Sequence, residues 1–597
     1  MIYSLSANKP SFNKGRPVEF HPGLNIILGM KSPAANARDT RNSLGKSTVL
    51  NLIDYCLGSN VPLSLDKEEL REWSFTLDID IGGSRVKVTR GLLKAAQGMV
   101  SVSGDVSEWP IAPDIPAIND TPNNYIIENW RKLLGAVFFS LPFKQGTEEF
   151  ELSEKPPSYR ELMGFFHRKS FQKEFLPGEG NAKAIPRDRT LAYLFGLDWA
   201  YLSRYEALSA EEKEFRTIQA AATIKRKEWG KSTVRKLKAH CKELRESCEE
   251  IKTQLSEFKG DLFYQQVEAE TERLSNELQT LRRAFYADRR ALEAAQQSLK
   301  DDFADTDVGG LKTIYEEAGL KFTGQVVRTL EEVAKFHQDV VKNRSDFLKE
   351  EIKRLKAAIR ERSSKMRCID DSRAEMLKQL ETKGTMDEFT KLSNKSAELA
   401  AELSVKEQCL ADTERAKSRL DELKEAKTTE AATAKKEFDR RIDKVELAQA
   451  NYSELATSLY QESGAGSLEI SFTEQVAKKS GYRFSAEMPS SSGSGKNRMK
   501  LFTVDMTIYR QQKHCGHAMA LMLHDGEMFT SADGRQRAKA LELAHKFAIE
   551  RDGQYITGFN DDILPTGDFS AGFDAEKCVA LKLYDGSAEN KLLGIEF

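Results

Sequence analysis

Three consecutive residues, Gly45, Lys46 and Ser47, have the types and the order that end the phosphate-binding pattern GxxxxGK[ST]. In such a loop, backbone amides at the start of a helix surround phosphate groups, the lysine reaches the outer phosphates, and the hydroxyl binds Mg²⁺. The apolar run 24–28 before the triplet predicts a strand, and 49–57 after it predicts a helix. We therefore expect ATP and Mg²⁺ to bind here, and an ordinary loop with a helix N-cap is the alternative.

The predicted phosphate loop is longer than usual. Thr40 occupies the position of the first glycine of the pattern, and the predicted strand ends at Gly29 instead. As a result, 15 residues separate Gly29 from Gly45, where about four are usual. We expect an insertion that leaves the end of the loop intact, so that seven consecutive residues contact the nucleotide: Asn42, Ser43, Leu44, Gly45, Lys46, Ser47 and Thr48.

The carboxylate that such a loop needs lies more than 450 residues downstream. The run 518–525 is predicted to be a buried strand that ends in an acid, and this position suits Asp525 for orienting Mg²⁺ together with Ser47. Its neighbour His524 is expected to be structural. Between this strand and the helical region, the serine- and glycine-rich run 490–496 precedes a predicted helix, 497–509, and a flexible loop is one interpretation of it.

The composition narrows the class of protein. A chain of 597 residues with 30% charged residues is expected to form several domains and to be cytoplasmic, without a membrane partner. Seven cysteines without a CxxC pair argue against a zinc site or a disulfide framework. The formal net charge of -2 gives no overall attraction to nucleic acid, so any DNA binding requires a local patch.

A long helical insertion accounts for the separation of the two motifs. No proline occurs between Arg187 and Met488, and an interior proline would interrupt a helix. Apolar residues in this interval alternate spacings of three and four, which is typical of a coiled coil. The clearest set is Val234, Leu237, Cys241, Leu244, Cys248, Ile251, Leu255, Phe258 and Leu262. A second set, Leu348, Ile352, Leu355 and Ile359, predicts the returning arm.

The chain is therefore predicted to have three regions. Residues 1–200 and 461–597 alternate predicted strands and helices and form the two halves of an α/β ATPase head. Residues 201–460 form antiparallel coiled-coil arms, with a tip near 303–325 and a joint near 381–388.

These motifs and this layout resemble the SMC and double-strand-break-repair ATPases, which have ABC-type heads. More narrowly, the runs 42–48, 524–526 and 531–536 look like the SMC-like subunit of bacterial anti-phage defence systems. Lamassu and related three-component ABC ATPase systems are the most similar type. The resemblance covers the layout of the full chain, and its specific motifs occupy less than a tenth of it.

The resemblance implies roles for further residues. In an ABC-type head a glutamate directly follows the acid and polarises the attacking water. Here Gly526 stands between them, but Glu527 and Asp533 keep the usual six-residue spacing. Glu527 is therefore expected to be the base, and Lys46, Asp525 and Glu527 the catalytic set. A surface glutamate in a poorly hydrolysing site is the alternative. Further nucleotide contacts are expected from Asp533, six residues after Glu527, and from Asn560, at the strand end where such heads often carry a histidine. A signature loop is expected to add Ser491, Ser492 and Gly493.

The resemblance also implies partners. We expect a homodimer whose heads enclose two ATP molecules, DNA sensed along heads and arms, a nuclease or other effector subunit, and a small accessory subunit. Hydrolysis is expected to be slow and regulated by DNA. Three alternatives stay open: an ATP-gated DNA-binding clamp with little hydrolysis, a structural scaffold with a vestigial nucleotide site, and a DNA-repair or chromosome-maintenance ATPase.

Overall fold

The computed structural model describes residues 1–32, 44–119, 121–144, 148–173, 175, 184–230, 233–257, 262–304, 324–379, 386–462, 464–474, 481–488 and 494–595. They form two compact units, residues 1–211 with 423–597 and residues 212–422, which we call the head and the arm.

The described strands are β1 (Ile2–Ala7), β2 (Val18–Glu19), β3 (Gly23–Met30), β4 (Ser74–Ile81), β5 (Ser84–Gly91), β6 (Met99–Ser103), β7 (Asn123–Ile126), β8 (Ser467–Phe472), β9 (Tyr482–Glu487), β10 (Leu521–His524), β11 (Gln554–Asn560) and β12 (Val579–Tyr584). The described α-helices are α1 (Lys46–Cys56), α2 (Lys94–Gln97), α3 (Ile127–Phe139), α4 (Tyr159–Met163), α5 (Ala184–Leu194), α6 (Ala200–Glu228), α7 (Val234–Glu257), α8 (Leu262–Ala304), α9 (Gly324–Gln379), α10 (Met386–Arg440), α11 (Ile442–Tyr460), α12 (Ser494–His514) and α13 (Gly534–Ile549).

A four-stranded parallel sheet in the order β10-β11-β3-β12 joins the two ends of the chain. Strand β3 comes from the N-terminal part and lies between β11 and β12 from the C-terminal part, parallel to both. Its residues and those of β11 are buried almost throughout, as expected for parallel strands covered on both faces. Both ends of the sequence are therefore needed to build this sheet.

A second sheet has six strands in the order β2-β1-β4-β5-β6-β7, and all its pairs are antiparallel. Strand β4 alternates buried and half-buried residues, which is the two-residue period of a strand with one face in a core. Helix α1 contacts β3 and β11 of the parallel sheet and β4 and β5 of this one. The helix that follows Gly45 is thus held from both sides.

The arm contains antiparallel helices. Most of the heptad residues predicted on α7 are buried, namely Leu237, Cys241, Leu244, Cys248 and Ile251. Ion pairs join Lys238 to Glu414 and Arg245 to Glu407, so that rising residue numbers on α7 meet falling numbers on α10. Between α8 and α9, Asp288 pairs with Arg362. The periodicity therefore identified the packed face of the arm helices.

One helix boundary, between α6 and α7, was not predicted. Gly230, with a φ of +68°, follows the end of α6, and the hydroxyl of Thr233 accepts a hydrogen bond from the backbone N–H of Lys236 at the start of α7. The predicted seam continues beyond α7 to Leu262, and residues 258–261 of it lie outside the described residues. Most of the predicted tip (303–325) and part of the predicted joint (381–388) lie outside the described residues.

The limits of the arm also differ from the expected 201–460, because the compact arm unit covers 212–422. Helix α11 lies within the expected arm, yet it packs into the core of the head through Tyr452, Leu455 and Leu459, which are fully buried. A helical pattern alone does not distinguish a coiled-coil helix from a helix packed in a globular core.

Candidate functional site

The parallel sheet brings the carboxyl ends of its strands to one edge of the head. Gly29 near the end of β3 pairs with Asn560 at the end of β11, and Asp525 directly follows β10, the next strand. The carboxyl edge of an open parallel sheet is where α/β proteins bind ligands. Residues more than 490 positions apart in the sequence therefore share this edge.

Lys46 lies over the same edge. A methyl group at Gly29 would lie 3.1 Å from Nζ of Lys46 and 3.2 Å from Oδ1 of Asn560, so the ammonium and the amide oxygen lie near the same point. A methyl group at Gly558 would lie 3.1 Å from Cβ of Lys46. The lysine side chain therefore runs across β11 toward the end of β3. It is half-buried, and Ser47 beside it is exposed.

Gly45 gives the loop its shape. Its φ of +103° lies in the left-handed region that favours glycine, and a methyl group there would lie 2.6 Å from Cβ of Leu592. The backbone N–H of Leu592 donates to the carbonyl of Leu44 at 3.0 Å. Leu44 and Leu592 are both buried, so the segment near residue 592 packs against the loop and supports it. Sequence reasoning did not identify this support.

Asp525 forms the N-cap of a short 3₁₀ turn, Gly526–Met528, and its Oδ1 accepts a hydrogen bond from the N–H of Glu527 at 3.1 Å. A side chain at position 526 would force the neighbouring strand to shift, because a methyl group there would lie 2.2 Å from the carbonyl oxygen of Gly558. This close approach of β11 gives a physical reason why the glutamate stands at 527 rather than directly after the acid.

Glu527 forms an ion pair with Arg498 of α12, and its side chain is 56% exposed. The guanidinium of Arg498 lies 4.3 Å from the centre of the Phe171 ring, which is a cation–π contact. The predicted base is therefore held by the helix that follows the serine- and glycine-rich run. Nothing in the sequence separates Arg498 from an ordinary surface arginine, and sequence reasoning missed it.

The other predicted residues have different positions. Asp533 is the N-cap of α13, and its Oδ1 accepts a hydrogen bond from the N–H of Gln536 at 2.9 Å. In the part of the chain that the structure describes, Oδ1 of Asn560 is buried and has no hydrogen-bond partner. Thr48 is half-buried in the first turn of α1. The predicted contacts Asn42, Ser43, Ser491, Ser492 and Gly493 lie outside the described residues.

His524, beside the acid, lies in a buried network. Its Nδ1 is 2.7 Å from the hydroxyl of Tyr555 and its Nε2 is 3.2 Å from Oδ2 of Asp505. Asp505 accepts two hydrogen bonds of 2.6 Å from Arg168. Burial by itself raises the pKa of Asp505, but Arg168 and His524 together outweigh burial and hold it below its ordinary value. Burial also lowers the pKa of His524. A neutral His524 therefore donates to Asp505 and accepts from Tyr555.

The residues predicted to bind Mg²⁺ have suitable chemistry. Hydroxyl and carboxylate oxygens are the ligands that this cation prefers. Ser47 is exposed and Asp525 is half-buried, so both side chains are accessible to a ligand from solution. Within the described residues no cluster of three or more histidine, cysteine, aspartate or glutamate side chains could hold a metal by itself. Ligands from the phosphates and from water would complete such a site, as is usual for Mg²⁺.

Comparison with protein families gives two matches to parts of the chain. Residues 455–597 match a family described as an uncharacterised protein conserved in bacteria (DUF2326). Residues 290–412 match the family described as C-terminal domain 10 of the ABC-three component (ABC-3C) systems. The first match contains Asp525, Glu527 and Asn560, and the second lies in the helical insertion.

Individual proteins also resemble the chain. It is 20% identical over 600 residues to the uncharacterised protein YydD of Bacillus subtilis (strain 168), and the similarity covers 96% of each. A solved Smc head domain with a coiled coil and joint derived from Pyrococcus yayanosii is 14% identical, with a TM-score of 0.32 and coverage of 95% of this chain and 93% of that one. An Smc head domain with an extended coiled coil bound to the C-terminal domain of ScpA, from Pyrococcus furiosus, is 11% identical, with a TM-score of 0.31 and coverage of 95% and 91%. No helix in the described ranges is both long and apolar enough to cross a bilayer.

Proposed function

We propose that this chain is the SMC-like ATPase subunit of a three-component ABC system. The observation that carries the proposal is the shared edge of the parallel sheet, where Lys46 and Asn560 lie next to Gly29 and Asp525 follows the neighbouring strand. These groups supply a cation for phosphate oxygens, an amide for hydrogen bonding and a carboxylate for a metal. The match of residues 290–412 to a domain of ABC-three component systems supports the same assignment.

Each residue has a role in hydrolysis. Lys46 neutralises charge on the outer phosphates, and the backbone amides at the start of α1 bind phosphate oxygens. Ser47 and Asp525 would hold Mg²⁺, which would neutralise charge that develops on the phosphates. Asn560 hydrogen-bonds the γ-phosphate through its amide and, unlike a histidine, keeps the same charge at all working pH values. Glu527 accepts the proton of the attacking water.

The contact between Glu527 and Arg498 supports slow hydrolysis by the isolated chain. The carboxylate of Glu527 must leave the guanidinium of Arg498 before it can face the attacking water. In the proposed cycle, ATP joins two heads, α12 moves with its signature loop, and Glu527 leaves Arg498. We further propose that DNA binding at heads and arms promotes this step. The dimer then controls a nuclease or other effector subunit in anti-phage defence, as a Lamassu-type system would.

The first test of the proposal is Lys46→Ala. We expect the purified chain to release phosphate from ATP, faster with DNA present, and we expect Lys46→Ala to abolish the release. Lys546→Ala is a matched control, since this lysine on α13 has a side chain that is 60% exposed and lies 3.8 Å from Glu550. If Lys46→Ala turned over ATP as fast as this control, the assignment of the site would be wrong.

An ATP-gated DNA clamp with little hydrolysis is the second candidate, and the exposed, paired state of Glu527 favours it over a purely structural scaffold. Glu527→Gln separates the two candidates. An ATPase is expected to lose turnover and to accumulate ATP-bound dimers, visible by light scattering after gel filtration. A clamp is expected to show neither change. A scaffold with a vestigial site would show no nucleotide binding that depends on Lys46.

A further inference from the structure

One segment, residues 166–170, extends the parallel sheet beyond its edge strand. The backbone N–H of Leu523 on β10 donates to the carbonyl of Phe166 at 2.7 Å, and His167 pairs with Leu523 in a parallel bridge. The segment therefore lies directly beside the strand that carries Asp525. None of the motifs in the sequence indicated it.

One face of the segment contacts the helix of the phosphate loop. Asp54 on α1 is fully buried, and its carboxylate lies 3.1 Å from Nδ1 of His167 and 3.2 Å from Nζ of Lys169. Arg160, on α4 shortly before the segment, adds two hydrogen bonds of 2.8 and 3.0 Å to the same carboxylate. Burial alone raises the pKa of Asp54, but Arg160 and His167 hold it well below its ordinary value. Asp54 is thus an anion at neutral pH.

The other face contacts helix α12. Successive side chains of an extended chain point in opposite directions. Accordingly, His167 and Lys169 reach α1, whereas Arg168 between them reaches Asp505 on α12. The side chains of Arg168 and Asp505 are both fully buried. Asp505 in turn accepts a hydrogen bond from His524, which precedes Asp525.

Segment 166–170 therefore connects three parts of the proposed site: the helix of the phosphate loop, the helix that follows the serine- and glycine-rich run, and the strand of the acid. Two parallel, charge-assisted hydrogen bonds fix angles as well as distances, and buried side chains in a dense core transmit displacements instead of absorbing them. A shift of α1 therefore displaces segment 166–170 through His167 and Lys169, and a shift of α12 displaces it through Arg168. In both cases the displacement reaches β10, which lies beside the segment.

We propose that segment 166–170 is a positioning element of the ATP site, in which Arg168 and Asp505 set the position of Asp525 relative to Lys46. The inference rests on the proposed ATPase function and extends it, because these two residues act on the site through His524 and β10 rather than by touching nucleotide or metal. Loss of the element slows the chemical step without weakening nucleotide binding.

The kinetic test uses a paired replacement. Arg168→Met alone leaves Asp505 buried without its cation, so both the thermal midpoint and kcat are expected to fall. Replacing both partners, Arg168→Met with Asp505→Leu, removes the unpaired charge, and such double replacements are often tolerated. We expect the double variant to regain most of the thermal midpoint while kcat stays at least roughly tenfold below that of the original chain, with KM for ATP changed by less than about threefold.

The control is a second ion pair of α12, between Arg510 and Glu454, whose side chains are 22% and 52% exposed. The corresponding double variant, Arg510→Met with Glu454→Leu, is expected to keep kcat and KM unchanged. If the Arg168 and Asp505 double variant recovered both thermal midpoint and kcat, the network would only hold the fold together and the inference would be overturned.

A second measurement separates this inference from the proposed function. Hydrogen exchange of the full chain without nucleotide reports on the element even if the chain does not hydrolyse ATP. Arg160→Gln weakens contacts within α1 and α4, with Asp54 and Tyr159, yet we expect roughly threefold faster exchange at 498–508 and 521–528 as well. Faster exchange confined to α1 and α4 would show that the segment does not connect the helices, and the inference would fail.

Discussion

Gly526 provides a direct test of how β10 and β11 position the acid. A methyl group at this position would lie 2.2 Å from the carbonyl oxygen of Gly558, far closer than a van der Waals contact. The clash must move the ends of the two strands apart by about 1 Å, at a cost of about 1–3 kcal/mol, which is typical of overpacking in a dense core. Lys46 rests against Gly558, so the displacement separates Asp525 from the lysine. A misplacement of about 1 Å lowers turnover by roughly 100-fold.

The assay compares Gly526→Ala with Gly567→Ala. A methyl group at Gly567 would meet nothing within 4 Å, so this control adds the same atom without a clash. For Gly526→Ala we expect a lower thermal midpoint and a large loss of DNA-stimulated phosphate release. The Gly567→Ala variant should match the original chain in both. Equal midpoints and equal turnover for the two variants would refute the idea that the close approach of Gly558 keeps the glutamate at position 527.

Two further predictions concern stability. Burial, with Lys444 and Arg551 nearby, lowers the pKa of His517 to about 4, so the unfolded chain, with an ordinary pKa near 6.5, binds a proton that the folded chain rejects. Stability is therefore lost as the pH falls from about 6.5 to about 4. The variant His517→Phe keeps a ring against Tyr193 but cannot bind a proton, so its thermal midpoint should fall less steeply over this range. Parallel curves for the two proteins would contradict the assignment. In the arm, Leu237 is fully buried whereas Val405 is 58% exposed. Leu237→Ala should destabilise the helices by about 2–5 kcal/mol, and Val405→Ala by less than about 0.5 kcal/mol. Far-ultraviolet circular dichroism during heating measures both losses. Similar losses for the two variants would mean that the packed face is assigned wrongly.

Local patterns in the sequence were most informative where the structure depends on nearby residues. The run 24–28 and the helix after Ser47 were predicted because strand and helix periods are visible within about ten residues. The break at Gly230 could have been predicted from the glycine and the following Thr233, which are common helix-end residues. The placement of α11 could not, because its helical pattern suits a coiled coil and a globular core equally well.

The candidate site was predictable in part. The types and spacing of Gly45, Lys46 and Ser47 indicate phosphate chemistry because that chemistry uses consecutive backbone amides and one lysine. The roles of Asp533 and Asn560 stay predictions, although the structure shows Asp533 capping α13 and both Oδ1 of Asn560 and Nζ of Lys46 beside Gly29. No local sequence pattern indicated the roles of Arg498 and Leu592, because each residue acts through a contact with a residue distant in the chain.

The sequence by itself determined which residues could carry phosphate chemistry, which helices present an apolar seam, and that the two chemical motifs lie at opposite ends of the chain. Only the tertiary structure decided that β3 lies between β11 and β12, that Gly558 closely approaches Gly526, that Arg498 holds Glu527, and that residues 166–170 connect α1 to α12. The physical reason is range. Helix and strand periods, turns and phosphate loops arise from neighbours along the chain, whereas close packing and buried charge pairs depend on which distant segments meet.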